Sequence, residues 1–249
     1  INAALNGLRF DPAANYHGAA SVQIVTDDLG NSGAGGPLSA SDTIAVTVVS
    51  VNDAPAGNDA TVTISEDTAY TLSTADFGFT DPSDSPANGL LAVRITTTPT
   101  AGALTDNGSL VTAGQVVSVA DITGGLLAFV PAPNVSGPGY ASFSFQVQDD
   151  GGTANGGADT DPTPRALTVN VTPVNDPPTI TSASTGSTLE GTPLVFSQAN
   201  GDAIVIGDVD AQGGIELVSL SATSGTLTLA TTNGLTFTTG TGTNDSSVG

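Results

Sequence analysis

A five-residue phrase occurs twice in the chain and sets its organisation. It reads Val-Asn-Asp-Ala-Pro from Val51 and Val-Asn-Asp-Pro-Pro from Val174, 123 residues later. A period of this length is that of a compact domain, and it is too long for a small solenoid repeat. Because proline stiffens the backbone and cannot extend a central strand, each phrase predicts a joint between two modules.

The composition favours strands over helices. The 249 residues include 31 Gly and 15 Pro, only 4% aromatic residues, and no Trp, Met or Cys. A core of Val, Ile, Leu and Ala, interleaved with Thr and Ser, is typical of strands. Since the absence of cysteine excludes disulfides and thiolate chemistry, a bound metal is the expected brace of each module.

The charge of the chain excludes some partners. There are 24 Asp and Glu residues against three Arg and no Lys, which gives a net charge of −21. A surface of this sign repels nucleic acid and anionic lipid, whereas divalent cations are its natural counter-charge. Acidity also keeps extracellular or halophilic proteins soluble, and that explanation stays open for many of the Asp residues.

Short strand-like segments follow one another along the chain. Between the joints we predict seven strands, at Ala60–Ser65, 69–72, Leu90–Thr97, 115–119, 126–130, 141–148 and Arg165–Thr172. Outside the joints we predict strands at 20–26, 43–49, 188–196, 203–206, 216–221, 226–229 and 235–238. Seven short strands at this spacing predict a Greek-key β-sandwich, and no segment approaches the ~20 apolar residues of a membrane span.

The two ends of the chain match different halves of the middle region. Phe10, Pro12, Asn15 and Gly18 have the same spacing as Phe129, Pro131, Asn134 and Gly137, while residues 223–228 echo residues 99–105. We therefore divide the chain into the C-terminal half of a module (1–52), a complete module (53–175) and the N-terminal half of a further module (176–249). Ile1 begins in the middle of a strand-like pattern, so we expect a segment of a longer protein.

The C-terminal segment 176–249 and the N-terminal segment 1–52 together would make one complete repeat. We expect the partner to be a neighbouring module or copy of the same protein, either within one concatenated chain or in a head-to-tail filament. The sequence does not choose between these arrangements.

Several motifs together resemble a known type of repeat. They are the two joint phrases, Glu66-Asp67-Thr68, residues 99–104, residues 129–134 and the turn Asp149-Asp150-Gly151. In combination they are similar to the tandem cadherin-like, Ig-like repeats of large bacterial extracellular adhesins. The resemblance implies a linear array of Greek-key sandwiches, located outside the cell or on its surface, with a structural role.

The resemblance also implies Ca²⁺ between consecutive modules. For the joint after the middle module the implied ligands are Glu66, Asp149, Asp150, Asn175, Asp176, Asp208 and Asp210. For the earlier joint they are Asp27, Asp28, Asn52, Asp53, Asp81 and Asp84, and Glu190 would serve a module built from tail and head. Six to eight oxygen ligands are what Ca²⁺ requires. The Asp-rich segments are equally typical of ordinary turns, and this alternative stays open.

Two classes of function compete, and neither is catalytic. The first is a calcium-rigidified structural repeat of an adhesin, matrix protein or fibre. The second is a glycan- or cell-binding module that acts through the loops 30–37 and 151–164. Enzyme activity is not expected, because His17 is the only histidine and the chain has no Cys, Lys or Trp.

Overall fold

The computed structural model describes residues 1–30, 33–211 and 213–249. These residues divide into two compact units, Ile1–Val174 and Asn175–Gly249. Strands and turns dominate both units, so the chain belongs to the all-β class. Of the loop 30–37, Asn31 and Ser32 lie outside the described residues.

Eleven strands and four short helical segments form the described part of the first unit. The strands are β1 (Gly18–Asp27), β2 (Ser39–Val48), β3 (Ala60–Ser65), β4 (Tyr70–Thr71), β5 (Leu90–Thr97), β6 (Ala103–Asp106), β7 (Ser109–Leu110), β8 (Val116–Ser118), β9 (Leu127–Val130), β10 (Gly137–Asp149) and β11 (Arg165–Thr172). The helical segments are α1 (Asn2–Leu5), α2 (Val119–Thr123) and the 3-10 turns Thr74–Phe77 and Ala154–Gly156. Among the described residues of the chain, no helix has the length and apolarity needed to cross a bilayer.

Strands β1 and β2 form a regular antiparallel hairpin. Their register runs from Gly18 opposite Val48 to Asp27 opposite Ser39. Along β1 the half-buried and exposed residues alternate as far as Val25, as expected of a ribbon with one apolar face. Within the described residues, no third strand pairs with either edge of this hairpin.

Residues after the first joint form two sheets around one core. A five-stranded sheet has the order β3-β11-β10-β5-β8, and a four-stranded sheet has the order β4-β9-β6-β7. Strands β3 and β11 are parallel, and the other pairs are antiparallel. Alternate residues of each strand point to the space between the sheets. The result is a β-sandwich with a single core.

Aromatic side chains occupy the centre of this core. Phe143 and Phe145 project from β10, Phe129 projects from β9 in the other sheet, and all three are at most 1% exposed. Phe77 packs edge to face on Phe145, with the ring centroids 4.9 Å apart. Rings in this geometry contribute stability beyond that of the buried area.

Three strands of the sandwich have the predicted bounds, namely β3, β5 and β11. The β6–β7 hairpin and helix α2 were missed. The hairpin turns at Asn107-Gly108, where both residues have positive φ angles of 48° and 76°. Asn-Gly is the commonest signal of such a turn, so the sequence did contain the information.

The second unit has little regular structure. Its described residues form β12 (Thr179–Thr181), β13 (Val205–Gly207), β14 (Leu220–Ser221) and β15 (Ser247–Val248), with a 3-10 turn at Gln198–Asn200. The predictions of strands at 188–196, 226–229 and 235–238 are wrong. Among its described apolar side chains only Val248 is fully buried, and strands need a packed face to be stable.

The packing of the sandwich can be tested with two leucines. Leu127 of β9 is fully buried, whereas Leu110 of β7 is 71% exposed. We expect Leu127→Ala to lower the free energy of unfolding by about 2–5 kcal/mol and Leu110→Ala by less than about 0.5 kcal/mol. Chemical denaturation of both variants measures the difference, and equal losses would contradict the two-sheet core.

Candidate metal site

The side chain of Asn52 ties the first joint to the sandwich. Its Nδ2 donates to Oδ1 of Asp149 at 3.0 Å and to the carbonyl of Ala158 at 2.6 Å. The amide of Ala158 donates in return to the carbonyl of Asn52 at 2.9 Å. Nδ2 of Asn88 donates to Oδ1 of Asn52. Every polar atom of this carboxamide is therefore used.

Seven side chains with oxygen atoms lie around this joint, and we call them the acidic pole. They are Asn52, Asp53, Asp81, Asp84, Asn88, Asp149 and Asp150. Antiparallel pairing assembles the pole, because Asp149 at the end of β10 lies opposite Leu90 at the start of β5. The segments that follow β10 and precede β5 consequently share one edge of the sheet.

Backbone amides hold the outer carboxylates of the acidic pole. The amide of Gly89 donates to Oδ1 of Asp150 at 2.8 Å, and the amide of Asp53 donates to Oδ2 of Asp84 at 3.0 Å. Gly151 closes the turn, because a Cβ atom at this position would collide with the side chain of Asn52. The Asp-Asp-Gly turn is thus shaped by the neighbouring joint.

Two carboxylates of the acidic pole are buried and only partly satisfied. Asp81 is 6% exposed and Asp149 is 0% exposed. Oδ2 of Asp81 accepts from the amide of Asn88 at 2.7 Å, and Oδ1 of Asp149 accepts from the amide of Gly151 at 2.9 Å. The other oxygens, Oδ1 of Asp81 and Oδ2 of Asp149, are buried and have no hydrogen-bond partner among the described residues. Such atoms are costly to bury unless a cation or a donor meets them.

Asp161 shows how the same unit satisfies a buried carboxylate fully. It is 1% exposed. Its Oδ2 accepts from the amide of Gly57 at 2.9 Å and from Nε of Arg165 at 3.0 Å, and its Oδ1 accepts from the amide of Thr163 at 2.8 Å. Burial alone would raise the pKa of Asp161, but these partners together lower it below its ordinary value of 3.8. No comparable cation contacts the acidic pole among the described residues.

The pKa of Asp149 is raised because its carboxylate is buried without a cationic partner in the described part of the chain. Burial is the largest cause of a pKa above the ordinary value of 3.8, and the negative charges of Asp81 and Asp159 act in the same direction. The Gly151 amide and the Asn52 side chain lower the pKa of Asp149 but do not offset the rise. A divalent cation would reverse the balance by favouring the ionised form.

The prediction that Asp27 and Asp28 lie at the first joint is wrong. The hairpin register puts Gly18 and Val48 at the end next to the joint, and Asp27 at the opposite end of a ten-residue strand. At ~3.3 Å per residue these ends are about 30 Å apart. Asp28 closes a turn there, where the amides of Leu38 and Gly30 lower its pKa.

The prediction that Asp149 and Asp150 lie at the second joint is also wrong, because they too lie at the end of a strand that runs away from that joint. Strand β11 leads into the second joint, and β10 runs antiparallel to it. The end of β10 therefore lies at the opposite end of the sandwich, beside Asn52. Glu66 has the predicted position, since its Oε1 accepts from the amide of Val174 at 2.7 Å and the residue is 3% exposed.

The remaining predicted ligands belong to the second unit. The amide of Asp176 donates to Oδ2 of Asp210, and the amide of Asp210 donates to Oδ1 of Asp208 at 2.8 Å. Asp176 and Asp210 each place a carboxylate oxygen within 4.8 Å of the other. Nδ2 of Asn175 donates to the carbonyl of Asp176 at 3.2 Å, and Glu190 is exposed. This unit thus brings two predicted carboxylates together.

Asn88 is a member of the acidic pole that the sequence reasoning missed. It lies immediately before Gly89 and β5, and both its backbone amide and its side chain donate hydrogen bonds within the pole. The available signal was an Asn-Gly pair at the start of a predicted strand, a few residues after Asp81 and Asp84. Only the pairing of β5 with β10 shows that it meets Asp149.

The chemistry of the acidic pole is that of hard oxygen ligands. Carboxylate and amide oxygens are the groups that Ca²⁺ prefers, and two buried oxygens of the acidic pole have no hydrogen-bond partner in the part of the chain that the structure describes. His17 is exposed and lies near Asp53 and Asp84. The residues present therefore fit a bound cation.

Comparisons with known proteins do not assign the chain to a family. No protein-family model matches the chain, and no curated protein sequence matches it significantly.

Replacing Asp149 by Asn removes the buried charge with little change in size. In a calcium chelator at pH 7, we expect Asp149→Asn to raise the free energy of unfolding by about 1–2 kcal/mol. Because the folded-state pKa is raised, the protonated carboxyl favours folding below pH 3.8, and this contribution is lost as the pH rises through the folded-state pKa. The advantage of the variant should therefore shrink as the pH falls, as denaturation at several pH values can measure.

Asp161→Asn is the matched control and should have the opposite sign. Its lowered pKa means that the ionised form contributes stability above pH 3.8, which is lost as the pH falls through the folded-state pKa. At pH 7 we expect a loss of about 1–3 kcal/mol, with or without chelator. Effects of the same sign for both variants would contradict the described difference in hydrogen bonding.

Proposed function

We propose that the chain is a structural, calcium-rigidified segment of tandem cadherin-like β-sandwich repeats. Its place would be an adhesin, matrix protein or fibre that is secreted or displayed on the cell surface. The work of such a segment is mechanical, since each bound ion would hold a joint between neighbouring modules. No catalytic step is part of this proposal.

The observation that carries the proposal is the pair of partly satisfied carboxylates in the acidic pole. Asp81 and Asp149 are buried with one free oxygen each, and Asn52 of the joint bonds directly to Asp149. An ion bound to these oxygens would restrain the joint as well as the sandwich. Rigidity of the linker is the property that a stalk requires.

The ligand set favours calcium over magnesium. The acidic pole offers carboxylate and amide oxygens in irregular positions on the joint, the loop before β5 and the turn after β10. Ca²⁺ accepts six to eight such ligands in flexible geometry, whereas Mg²⁺ demands a near-ideal octahedron and keeps several waters. The net charge of −21 adds a long-range attraction for divalent cations.

A local pattern of the first joint recurs at the second. The amide of Asp53 donates to the carboxylate of Asp84, and the amide of Asp176, 123 residues later, donates to that of Asp210. The repeated Val-Asn-Asp phrase thus forms the same hydrogen bond in both units. We extend the proposal to a second cation in the second unit, with Asn175, Asp176, Asp208 and Asp210 as ligands expected from the sequence.

The alternative of recognition through loops has less support. The loop 151–164 lies against the joint and the sandwich, because Ala158 bonds to Asn52 and Asp161 bonds to Gly57. A loop engaged in this way shapes the acidic pole. Its position supports a structural role.

Calcium titration of the whole chain tests the proposal. At a free calcium concentration about 100-fold above the dissociation constant, binding to the folded state should add ~2.7 kcal/mol. For a protein of this size this corresponds to a rise of the melting temperature by roughly 5–10 °C. Hydrogen exchange of the amides of Asn88, Gly89 and Gly151 should slow at the same time, which reports rigidity at the joint.

A matched pair of variants assigns the effect to the acidic pole. The double variant Asp81→Asn/Asp149→Asn should bind fewer calcium ions by isothermal titration calorimetry and lose the protection of these amides. Asp42→Asn, an exposed position on β2, should behave as the unchanged protein does. An equal response to magnesium, or the same calcium stoichiometry in the double variant, would refute the assignment.

A further inference from the structure

Residues 1–48 repeat the second half of the sandwich in their local geometry. Helix α1 and Gly7, with a φ of +94°, correspond to helix α2 and Gly125, with a φ of +73°. Left-handed Asn15 corresponds in the same way to Asn134, 119 residues later, and both have a φ of +57°. The chain before the first joint therefore follows the same path as the chain before the second.

The strand pairing of the two segments also agrees. Gly18 lies opposite Val48 in the β1–β2 hairpin, and Gly137 lies opposite Val171 in the β10–β11 pair. Gly137 follows Gly18 by 119 residues, and Val171 follows Val48 by 123. The β1–β2 hairpin thus has the register of β10–β11, which is the centre of the five-stranded sheet.

Burial differs sharply between equivalent positions. Leu127 and Phe129 of β9 are at most 1% exposed, whereas Leu8 and Phe10, each 119 residues earlier, are 62% and 40% exposed. The same side chains on the same backbone path are covered in one segment and open in the other. Exposed large apolar side chains at positions that the sandwich buries are typical of an interaction surface.

The second unit repeats the first half of the sandwich. A Ser-capped 3-10 turn ends at left-handed Gly78 in the sandwich and at left-handed Gly201 in the second unit, 123 residues later. The antiparallel bridge between Ala56 and Thr80 has a counterpart in the pair of Thr179 and Gly207, which lie 123 and 127 residues later. The second unit thus supplies the elements that residues 1–48 do not contain.

Some of its apolar side chains are more exposed than those of the corresponding strand in the sandwich. Val93 and Ile95 of β5 are 0% exposed, whereas in the segment 215–221 Val218 and Leu220 are half-buried and Ile215 and Leu217 are 101% and 76% exposed. In the sandwich, β5 is covered by pairing with β10. The second unit therefore presents an apolar face suited to a hairpin like β10–β11.

One backbone edge of the second unit is open as well. Leu227 and Leu229 bond to residues 245 and 242 on one side, and the amide of Thr228 between them has no hydrogen-bond partner among the described residues. Successive backbone amides in an extended segment point to opposite sides. Thr228 corresponds to Thr105 of β6, which faces Ala128 of β9 in the sandwich.

We propose that residues 8–48 of one copy of the chain dock onto the second unit of another copy and complete a second sandwich between them. The pairings follow those of the sandwich: residues 8–11 with 226–229, β1 with 215–221, and β2 with 184–189. Both edges of the β1–β2 hairpin are unpaired among the described residues and suit strand addition on each side. Repetition of this contact links copies head to tail.

Cysteine cross-linking tests the proposed register directly. Because the chain has no cysteine, the variant Arg9→Cys/Thr228→Cys carries only the two introduced thiols. These positions correspond to Ala128 and Thr105, which are direct antiparallel partners close enough for a disulfide. At ~0.15 M salt, which screens the repulsion between acidic copies, mild oxidation should yield a ladder of linked dimers and larger species on a non-reducing gel.

The control variant is Arg9→Cys/Thr192→Cys. Thr192 is equally exposed but corresponds to Thr68, which is not a partner of Ala128. Several-fold less ladder is expected from the control. Equal ladders, a disulfide within a single chain, or no disulfide would each overturn the proposal.

Sedimentation of the unmodified protein gives a second readout. We expect the mean mass to rise with protein concentration, and the variant Leu8→Asp/Phe10→Asp to remain at the mass of one copy. Measurements in chelator and in calcium separate this inference from the proposed function, since strand pairing between copies requires no ion. A single-copy mass at all concentrations in both conditions would refute the docking surface and leave the calcium proposal intact.

Discussion

The carboxamide of Asn52 is the contact on which the described joint depends. It donates to Asp149 and Ala158 and accepts from Asn88, so three separate segments converge on one side chain. The hydrogen bonds with Asp149 and Asn88 are partly buried, where water competes less well. Since the carboxamide is fully used, it cannot also satisfy the free oxygens of Asp81 and Asp149.

The chain has few basic side chains that could neutralise the free oxygens of Asp81 and Asp149. With three arginines against 24 acidic residues, few carboxylates have an internal counter-charge. Arg165 pairs with Asp161, and Arg9 pairs with exposed Asp11. An external cation is therefore the simplest source of positive charge for the acidic pole, and its binding would depend on the environment of the protein.

Local sequence patterns predicted several strands of the sandwich, but they did not predict which residues meet in the acidic pole. Strands β3, β5 and β11 had the predicted bounds, because alternating apolar residues and flanking turns define such segments locally. The strand predicted at 188–196 did not form, since a strand needs a partner that a local pattern cannot supply. Asp27 and Asp149 do not lie at the joints that the resemblance implied, because antiparallel pairing sends the ends of β1 and β10 away from those joints.

The sequence by itself determined the all-β class, the period of 123 residues and the types of side chain at the joints. These properties depend on composition, spacing and side-chain chemistry, which are independent of long-range contacts. Only the tertiary structure decided that Asp149 meets Asn52, with Asn88 beside them. The reason is that antiparallel pairing of β10 with β5 and β11 sends the end of β10 back to the joint where the sandwich begins.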